Sequence, residues 1–453
     1  MDILLIHLGK SVRNKQDIVL PPLGTLYLAE YLNQHGIDTK IANLNIGQKT
    51  KEISSLYPLI KKYDIKILGL PLHWHQQSFN VIDSATKLKK AFPDIKIILG
   101  GSTATFFHRE IMSNFFSIDF IIRGDAEIPL LNLAKKILEG KKSFYNVPNL
   151  TWRQDKTIIT NKQSYVCNQK IVNSIIHPNF DSFLKEREFS FEANSSQNRP
   201  QAKTTIFNPA RGCSGDCPYC GGSKTAQKIL YKRKKTLYLS LENGLKTVQK
   251  MSSSGINHLY FPFFTPGSKE FYLDLFKKIR QNNINFSATI ELYSLCDKEF
   301  IEDFSSTFSK ESTVVLSPNT GSESLRKKIQ TFYYSNNMLI DCLNNIIRSR
   351  INLDLQFSTG FPFETKKDLE KTIFLIRYLK RTFPASFSGS SIELEPASLM
   401  YLYPKYYKIN SKRKNFSDFI EASQKKLLGY STETFSEKEI ILNNQYLKKI
   451  YEG

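Results

Sequence analysis

The sequence predicts an α/β protein with two α/β parts and a small C-terminal extension. Three observations predict it. Short β-branched runs recur roughly every 25 to 35 residues over residues 1–145. Six further runs alternate with longer amphipathic stretches over residues 203–398. Three cysteines fall within eight residues just after the first of those six runs. At 453 residues and 41% hydrophobic, the chain is long enough for more than one core, which excludes a disordered or collagen-like class. No stretch approaches the roughly 18 uninterrupted apolar residues of a membrane span. Met1-Asp2-Ile3-Leu4-Leu5-Ile6 reads as a first strand, not as a signal peptide with a basic lead, so a cytoplasmic protein is expected.

In the first part, strands are expected at 2–8, 38–43, 65–70, 95–99 and 120–123. Helices are expected at 24–35 (with Gly36 as its stop), 52–63, 79–91 and 127–139. Phe79, Ile82, Ala85 and Leu88 form one apolar stripe on the third helix. Alternation of this kind gives a five-stranded doubly wound sheet, whose ligand lies at the carboxyl ends of its strands. Residues 146–202 hold a β-hairpin, 149–153 with 157–160, and a polar connector at 190–202.

In the second part, strands are expected at 203–208, 258–263, 285–292, 313–316, 352–358 and 391–395. Helices are expected at 241–254, 269–282, 298–309, 322–350 (as two) and 365–383. Six β/α units imply parallel strands joined by right-handed crossovers. Residues 399–453 are expected to form a helical extension; its Tyr401, Tyr403, Tyr406 and Tyr407 suit either a substrate lid or packing.

Cys213, Cys217 and Cys220 in Arg211-Gly212-Cys213-Ser214-Gly215-Asp216-Cys217-Pro218-Tyr219-Cys220-Gly221-Gly222-Ser223 are the candidate metal ligands. Three thiolates on a glycine-rich turn can wrap one corner of a four-iron cluster and leave one iron open. Structural zinc is the alternative, and it takes four protein ligands. Cys167, Cys296 and Cys342 read as small buried hydrophobes.

This loop resembles the signature of the radical SAM enzymes, a CxxxCxxC with an aromatic before the last cysteine. The resemblance implies a 4Fe-4S cluster on Cys213, Cys217 and Cys220, S-adenosyl-L-methionine on the open iron, Tyr219 near the adenine, and an open partial (β/α)6 barrel. It extends to Gly221 and Gly222, to Ser317, Asn319 and Glu323 in the loop after the fourth strand, and to Gly360 in a G-x-P-x-E-T-like segment. Ser322 and Thr365 are equally sensible helix N-caps. The acidic loop ending Gly-Gly-Glu in many family members is here Phe261-Pro262-Phe263-Phe264-Thr265, which leaves the amino-group ligand unassigned.

The first part resembles the Rossmann-like cobalamin-binding domain fused ahead of such barrels. The segments that carry the likeness are Leu20–Ala29, with Pro22 and Gly24, the pair Gly100-Gly101, and Arg123-Gly124-Asp125-Ala126-Glu127. The D-x-H-x-x-G loop that supplies a cobalt ligand elsewhere is absent, since Leu8-Gly9-Lys10-Ser11 follows the first strand. His73 and His75 read as loop histidines bonded locally, with one able to face a corrin.

Together the resemblances imply a cobalamin-dependent enzyme that cleaves S-adenosylmethionine reductively and methylates an unactivated carbon. Its partners would be a small-molecule or peptide substrate and an electron donor such as flavodoxin or ferredoxin. No catalytic acid or base is assigned. The alternatives are a cyclisation, rearrangement or oxidation with both cofactors, or a nucleic-acid-binding protein with a structural metal cluster. The net charge of +21 favours the last, but its basic residues are spread out, with runs at 232–235 and 408–414 and no stripe interleaved with aromatics. A second cysteine triad, as in transfer-RNA methylthiotransferases, is absent from residues 1–166.

Overall fold

A computed structural model describes residues 1–9, 22–46, 49–50, 52–175, 180–185 and 203–452. The expected connector at 190–202, and residues 10–11 and 20–21 of the segments quoted above, lie outside them. The chain divides into two compact units. The first is Met1–Gln201 with Lys228–Lys234 and Arg413–Leu427; the second holds the remainder.

The first unit is built on β1 (Ile3–His7), α1 (Leu23–Gln34), β2 (Thr39–Asn43), α2 (Tyr57–Lys62), β3 (Ile67–Pro71), α3 (Ser78–Ala91), β4 (Lys96–Gly100), α4 (Ser102–Phe106), α5 (His108–Asn114), β5 (Phe120–Ile122), α6 (Glu127–Leu138), β6 (Leu150–Gln154) and β7 (Thr157–Thr160). The sheet order is β2-β1-β3-β4-β5-β6-β7. Strands β1 to β5 are mutually parallel, and the order reverses between β1 and β3, so a ligand crevice opens at their carboxyl ends. Ile3, Leu5, Ile41, Ile67 and Ile98 on one face are buried with α1 and α6, and Leu4, Ile6, Leu68 and Leu99 on the other are buried too, as an internal parallel sheet requires.

Two features differ from expectation. The hairpin β6–β7 is no free connector, because β6 pairs antiparallel to β5 (Phe120 opposite Trp152) and widens the sheet to seven strands. Helices α4 and α5 occupy a stretch left unassigned, where short runs broken at Phe107 give no sustained helical period.

The second unit contains β8 (Thr204–Ile206), α7 (Lys224–Tyr231, whose last four residues group with the first unit), α8 (Leu241–Ser253), β9 (His258–Phe264), α9 (Lys269–Gln281), β10 (Ser287–Leu292), α10 (Lys298–Thr307), β11 (Thr313–Asn319), α11 (Glu323–Ile329), α12 (Asn336–Arg348), β12 (Asn352–Phe357), α13 (Lys366–Thr382) and β13 (Ala385–Ser388). Its sheet runs β8-β9-β10-β11-β12-β13, all parallel, giving the six β/α units of a partial barrel. The sixth strand is Ala385–Ser388, not 391–395. The alternating Ile392 and Leu394 suggested a strand, but Ser391 makes only an isolated bridge to Thr359. The tail includes an antiparallel hairpin, Ile409–Ser411 with Tyr430–Thr432, besides its helices. No helix among the described residues is long and apolar enough to cross a membrane.

Inside the first unit the basic run at 232–235 is partly structural. Arg233 is buried and pairs with Asp125 (2.6 Å), which also accepts from the Cys167 backbone N–H (2.9 Å). Removing one partner of a buried ion pair strands the other charge in low dielectric. Arg233→Met should therefore lower stability by about 3–5 kcal/mol. Asp125→Asn added to it should cost much less than Asp125→Asn alone, as read from urea-unfolding midpoints of the two singles and the double.

Candidate active site

The cysteine loop leaves the carboxyl end of β8, the edge at which barrel active sites are built. All three cysteines are free and half-buried. The backbone N–H of Gly215 donates to Cys213 Sγ and that of Gly222 to Cys220 Sγ, both at 3.3 Å. Such N–H···S bonds stabilise sulfur carrying negative charge, and they are the outer contacts that tune a cluster. Burial raises the Cys213 thiol, and burial with the neighbouring Cys217 and Cys213 charges pushes Cys220 up to about 12. The three sulfurs are thus close enough to repel one another once ionised, a cost that bound iron relieves.

The loop is fixed from several sides. Asp216 accepts from the N–H and hydroxyl of Thr225 (2.9 and 2.8 Å), and its own N–H donates to Thr331 Oγ1 (2.6 Å). Gly221 lies where a Cβ would come within 2.9 Å of the Glu395 side chain.

The structure brings some of the predicted cofactor residues together. Asn319 Nδ2 donates to Tyr219 Oη (3.3 Å), and the Tyr219 ring meets Phe361 edge-on at 5.2 Å. The cysteine loop, the carboxyl end of β11 and the loop after β12 therefore meet at Tyr219. Asn319 sits in the left-handed region (φ +63°), which asparagine tolerates better than most residues. Ser317 donates to Gln356 (3.3 Å).

Two others have local duties. Glu323 accepts from the Asn336 N–H (2.6 Å), the first residue of α12. Gly360, at φ +92°, lies where a Cβ would meet Tyr430 Oη at 2.6 Å. Thr365 caps α13 through the Asp368 N–H, whereas Ser322, at the start of α11, gives its hydroxyl to Asp368 instead.

In the first unit, Gly101 (φ +103°) is required by packing, because a Cβ would stand 2.7 Å from Leu72 O and 2.8 Å from His73 Cα. Gly124 is similarly hemmed by Gln163 Nε2 at 2.7 Å. Glu127 is buried and accepts from Tyr165 Oη (3.1 Å). Gly24 and Gly100 leave room: a Cβ meets nothing within 4 Å at Gly24 and only Ile122 O, at 3.7 Å, at Gly100. Pro22 opens α1 beside Gly24. Open glycines at the carboxyl edge of a doubly wound sheet fit a large flat ligand. His73 carries α4, its carbonyl accepting from Ser102 and Thr103 hydroxyls (2.6 and 2.9 Å). His75 is buried against Arg413 (3.3 Å) and Phe419, which come from a distant part of the chain and not from its own loop.

Residues 9–134 match the B12 binding domain family and residues 207–376 the radical SAM superfamily, together more than half of the chain. The chain belongs to the radical SAM enzymes that carry a B12-binding domain. Their cofactors are a 4Fe-4S cluster, S-adenosylmethionine and cobalamin, and the cysteine loop and open glycines fit such groups.

A tRNA-2-methylthio-N(6)-dimethylallyladenosine synthase of Lawsonia intracellularis is 25% identical over 46% of this chain, and the match spans 47% of that relative. An uncharacterized methyltransferase of Pyrococcus horikoshii is 21% identical over 82% of this chain and 77% of its own length. Among solved structures, the radical S-adenosylmethionine methyltransferase TsrM from Kitasatospora setae, with cobalamin and a [4Fe-4S] cluster bound, shares the fold. Its TM-score is 0.67 at 14% identity, covering 91% of this chain and 78% of that one.

Sequence reasoning missed the polar inner side of this barrel. Glu291 on β10 accepts hydroxyls from Tyr260 and Tyr293, the latter at 2.8 Å. Asp354 on β12 accepts from Ser388 (3.3 Å), and burial, with the Glu291 charge adding, raises it to about 6. Polar residues at every second position of those strands were the available signal. The Tyr cluster is surface-exposed at Tyr403 and Tyr406, while Tyr407 packs on Phe363 (5.7 Å). Of the remaining cysteines, Cys296 and Cys342 are buried with their sulfurs 3.9 Å apart.

Glu364, in the loop after β12, is fully buried. One of its oxygens takes the Gly360 and Phe361 N–H groups and the Thr359 hydroxyl, at 2.6, 3.2 and 3.1 Å. Burial outweighs these bonds and raises the carboxyl from 4.5 to about 7. With the folded value above the unfolded one, its stabilising contribution is complete below pH 4.5 and is lost as the pH rises through about 7. The melting temperature of Glu364→Gln should fall less than that of wild type across this window, a difference scanning calorimetry at stepped pH would resolve.

Proposed function

We propose that this enzyme transfers a methyl group to an unactivated carbon. When bound, the cluster with S-adenosylmethionine supplies reductive cleavage of the sulfonium, and cobalamin supplies a transferable methyl group. Cys213, Cys217 and Cys220 are proposed to hold the cluster, with the Gly215 and Gly222 N–H groups on two of the sulfurs. Tyr219, fixed by Asn319 and Phe361, Gly221, Gly222, Ser317 and Gly360 line the proposed S-adenosylmethionine side; Glu323 supports it by starting α12. In the other unit, Pro22, Gly24, Gly100, Gly101, Gly124 and Glu127 shape the proposed cobalamin edge. These residues orient the reactants and exclude water, and none is assigned proton transfer.

The single observation that carries the reading is the pair of domains, a B12-binding domain and a radical SAM barrel with its cysteine loop intact, on one chain. A methyltransferase stands among the relatives, which supports methyl transfer. The expected division into residues 1–145, 146–202, 203–398 and 399–453 is kept as the proposed layout. An electron donor such as flavodoxin or ferredoxin, a small-molecule or peptide substrate and a cytoplasmic setting complete the proposal.

Anaerobic purification with iron, sulfide and corrin quantification tests it. Wild type should carry about four irons per chain. The Cys213/Cys217/Cys220→Ala variant should lose iron and 5′-deoxyadenosine formation while retaining corrin. One zinc per chain without corrin would sink the proposal, and stoichiometric 5′-deoxyadenosine without methylated product would favour a cyclisation or oxidation.

A further inference from the structure

Along β10, β11 and β12 the residues alternate between two environments. Ile290, Leu292, Val314, Leu316, Leu353 and Leu355 are buried on the helix-covered face. The opposite face carries Glu291, Ser317, Asp354 and Gln356, all half-buried, with Tyr260 reaching in from β9. Glu291, Val315 and Asp354 lie in one register row, so the two carboxylates stand two strands apart across an apolar floor, about 10 Å backbone to backbone.

The partners of these carboxylates are hydroxyls. Glu291 has Tyr260 and Tyr293, and Asp354 has Ser388. Among the described residues neither carboxylate is seen in an ion pair or hydrogen bond with a lysine, arginine or histidine. In a chain with 63 lysines and arginines, a half-buried carboxylate pair without a base is a costly arrangement. A bound cation removes that cost. The row also adjoins the cluster loop, since Tyr293, whose hydroxyl is on Glu291, lies within reach of the Cys220 charge.

We propose that the substrate is an organic cation, carrying a protonated amine or guanidinium that Glu291 and Asp354 bind on the inner face of the barrel. The hydroxyls of Tyr260 and Tyr293 hold the Glu291 carboxylate in place, and Gln356 offers neutral hydrogen bonds to the remainder of the molecule. This assignment rests on the reading of the barrel as the active site.

The test uses the reconstituted full chain and two isosteric probes, n-butylguanidinium and n-butylurea, followed by saturation-transfer NMR titration. Wild type should bind the cation at least tenfold more tightly than the urea, because a hydrogen bond to a charged group contributes about 1.5–3 kcal/mol and about 1.4 kcal/mol is tenfold. The Glu291→Gln/Asp354→Asn variant should lose this preference and melt no lower than wild type, since it removes two half-buried charges at constant shape. Equal binding of the two probes by wild type, no binding of the cation, or an unchanged preference in the variant would overturn the proposal. Reductive cleavage of S-adenosylmethionine by wild type alone, measured as 5′-deoxyadenosine, reports separately on the underlying reading: its absence overturns that reading whatever the probes do.

Discussion

Parallel register in the second sheet is the constraint on which the site depends. Each strand side chain alternates between faces, so a one-residue slip of β10 would carry Ile290 and Leu292 to the inner face and drive Glu291 into the helix layer. The apolar residues on the helix side, with Phe276, Phe300 and Phe304 of α9 and α10 packed behind them, hold that register. Because all six strands run the same way, every strand-to-helix loop leaves from one edge. Two of those loops and the end of β11 then meet at Tyr219, through Asn319 and Phe361. The hydrophobic effect on one face thus positions polar groups on the other.

The same periodicities made most of the fold legible in the sequence. Strands such as Thr39–Asn43 and Ser287–Leu292 carry apolar side chains at the spacing that burial demands, and the helices between them end at Gly36 and Gly140 or begin at Ser240 and Thr365 as their capping chemistry dictates. What escaped was non-local. Ala385–Ser388 is short and rich in small polar residues, and it becomes a strand only because β12 offers an open edge. The 150–160 hairpin was visible as a hairpin, while its pairing to β5 was not, since local pattern says nothing about which edge a strand joins.

The site shows the same division. Cysteine spacing is local chemistry, so the triad could be read directly. The glycines could be recognised as special, but their reasons differ in a way that sequence does not reveal. Gly101 makes room for the backbone of Leu72 and His73, whereas Gly24 faces open space. The partners of Glu127 and Asp125, Tyr165 and Arg233, come from distant parts of the chain. The carboxylates of the inner face were overlooked because each is an ordinary acidic residue on its own strand, and only the register sets them in one row.

Net charge was the least informative feature, for a physical reason. A total of +21 describes a surface average, yet two arginines within the most basic runs, Arg233 and Arg413, are buried and used in packing and pairing. The proposed substrate pocket has the opposite sign to the whole. A cationic exterior repels a cationic ligand only over a Debye length of about 8 Å at physiological salt. Inside the barrel, Glu291 and Asp354 act at lower dielectric and shorter range, so local chemistry outweighs the distant surplus. Specificity in such an arrangement comes from the cost of the empty site. Two half-buried carboxylates, each penalised by burial when charged, discriminate most strongly for the ligand that offsets both. A neutral molecule of the same shape leaves that cost in place, and an anion adds to it.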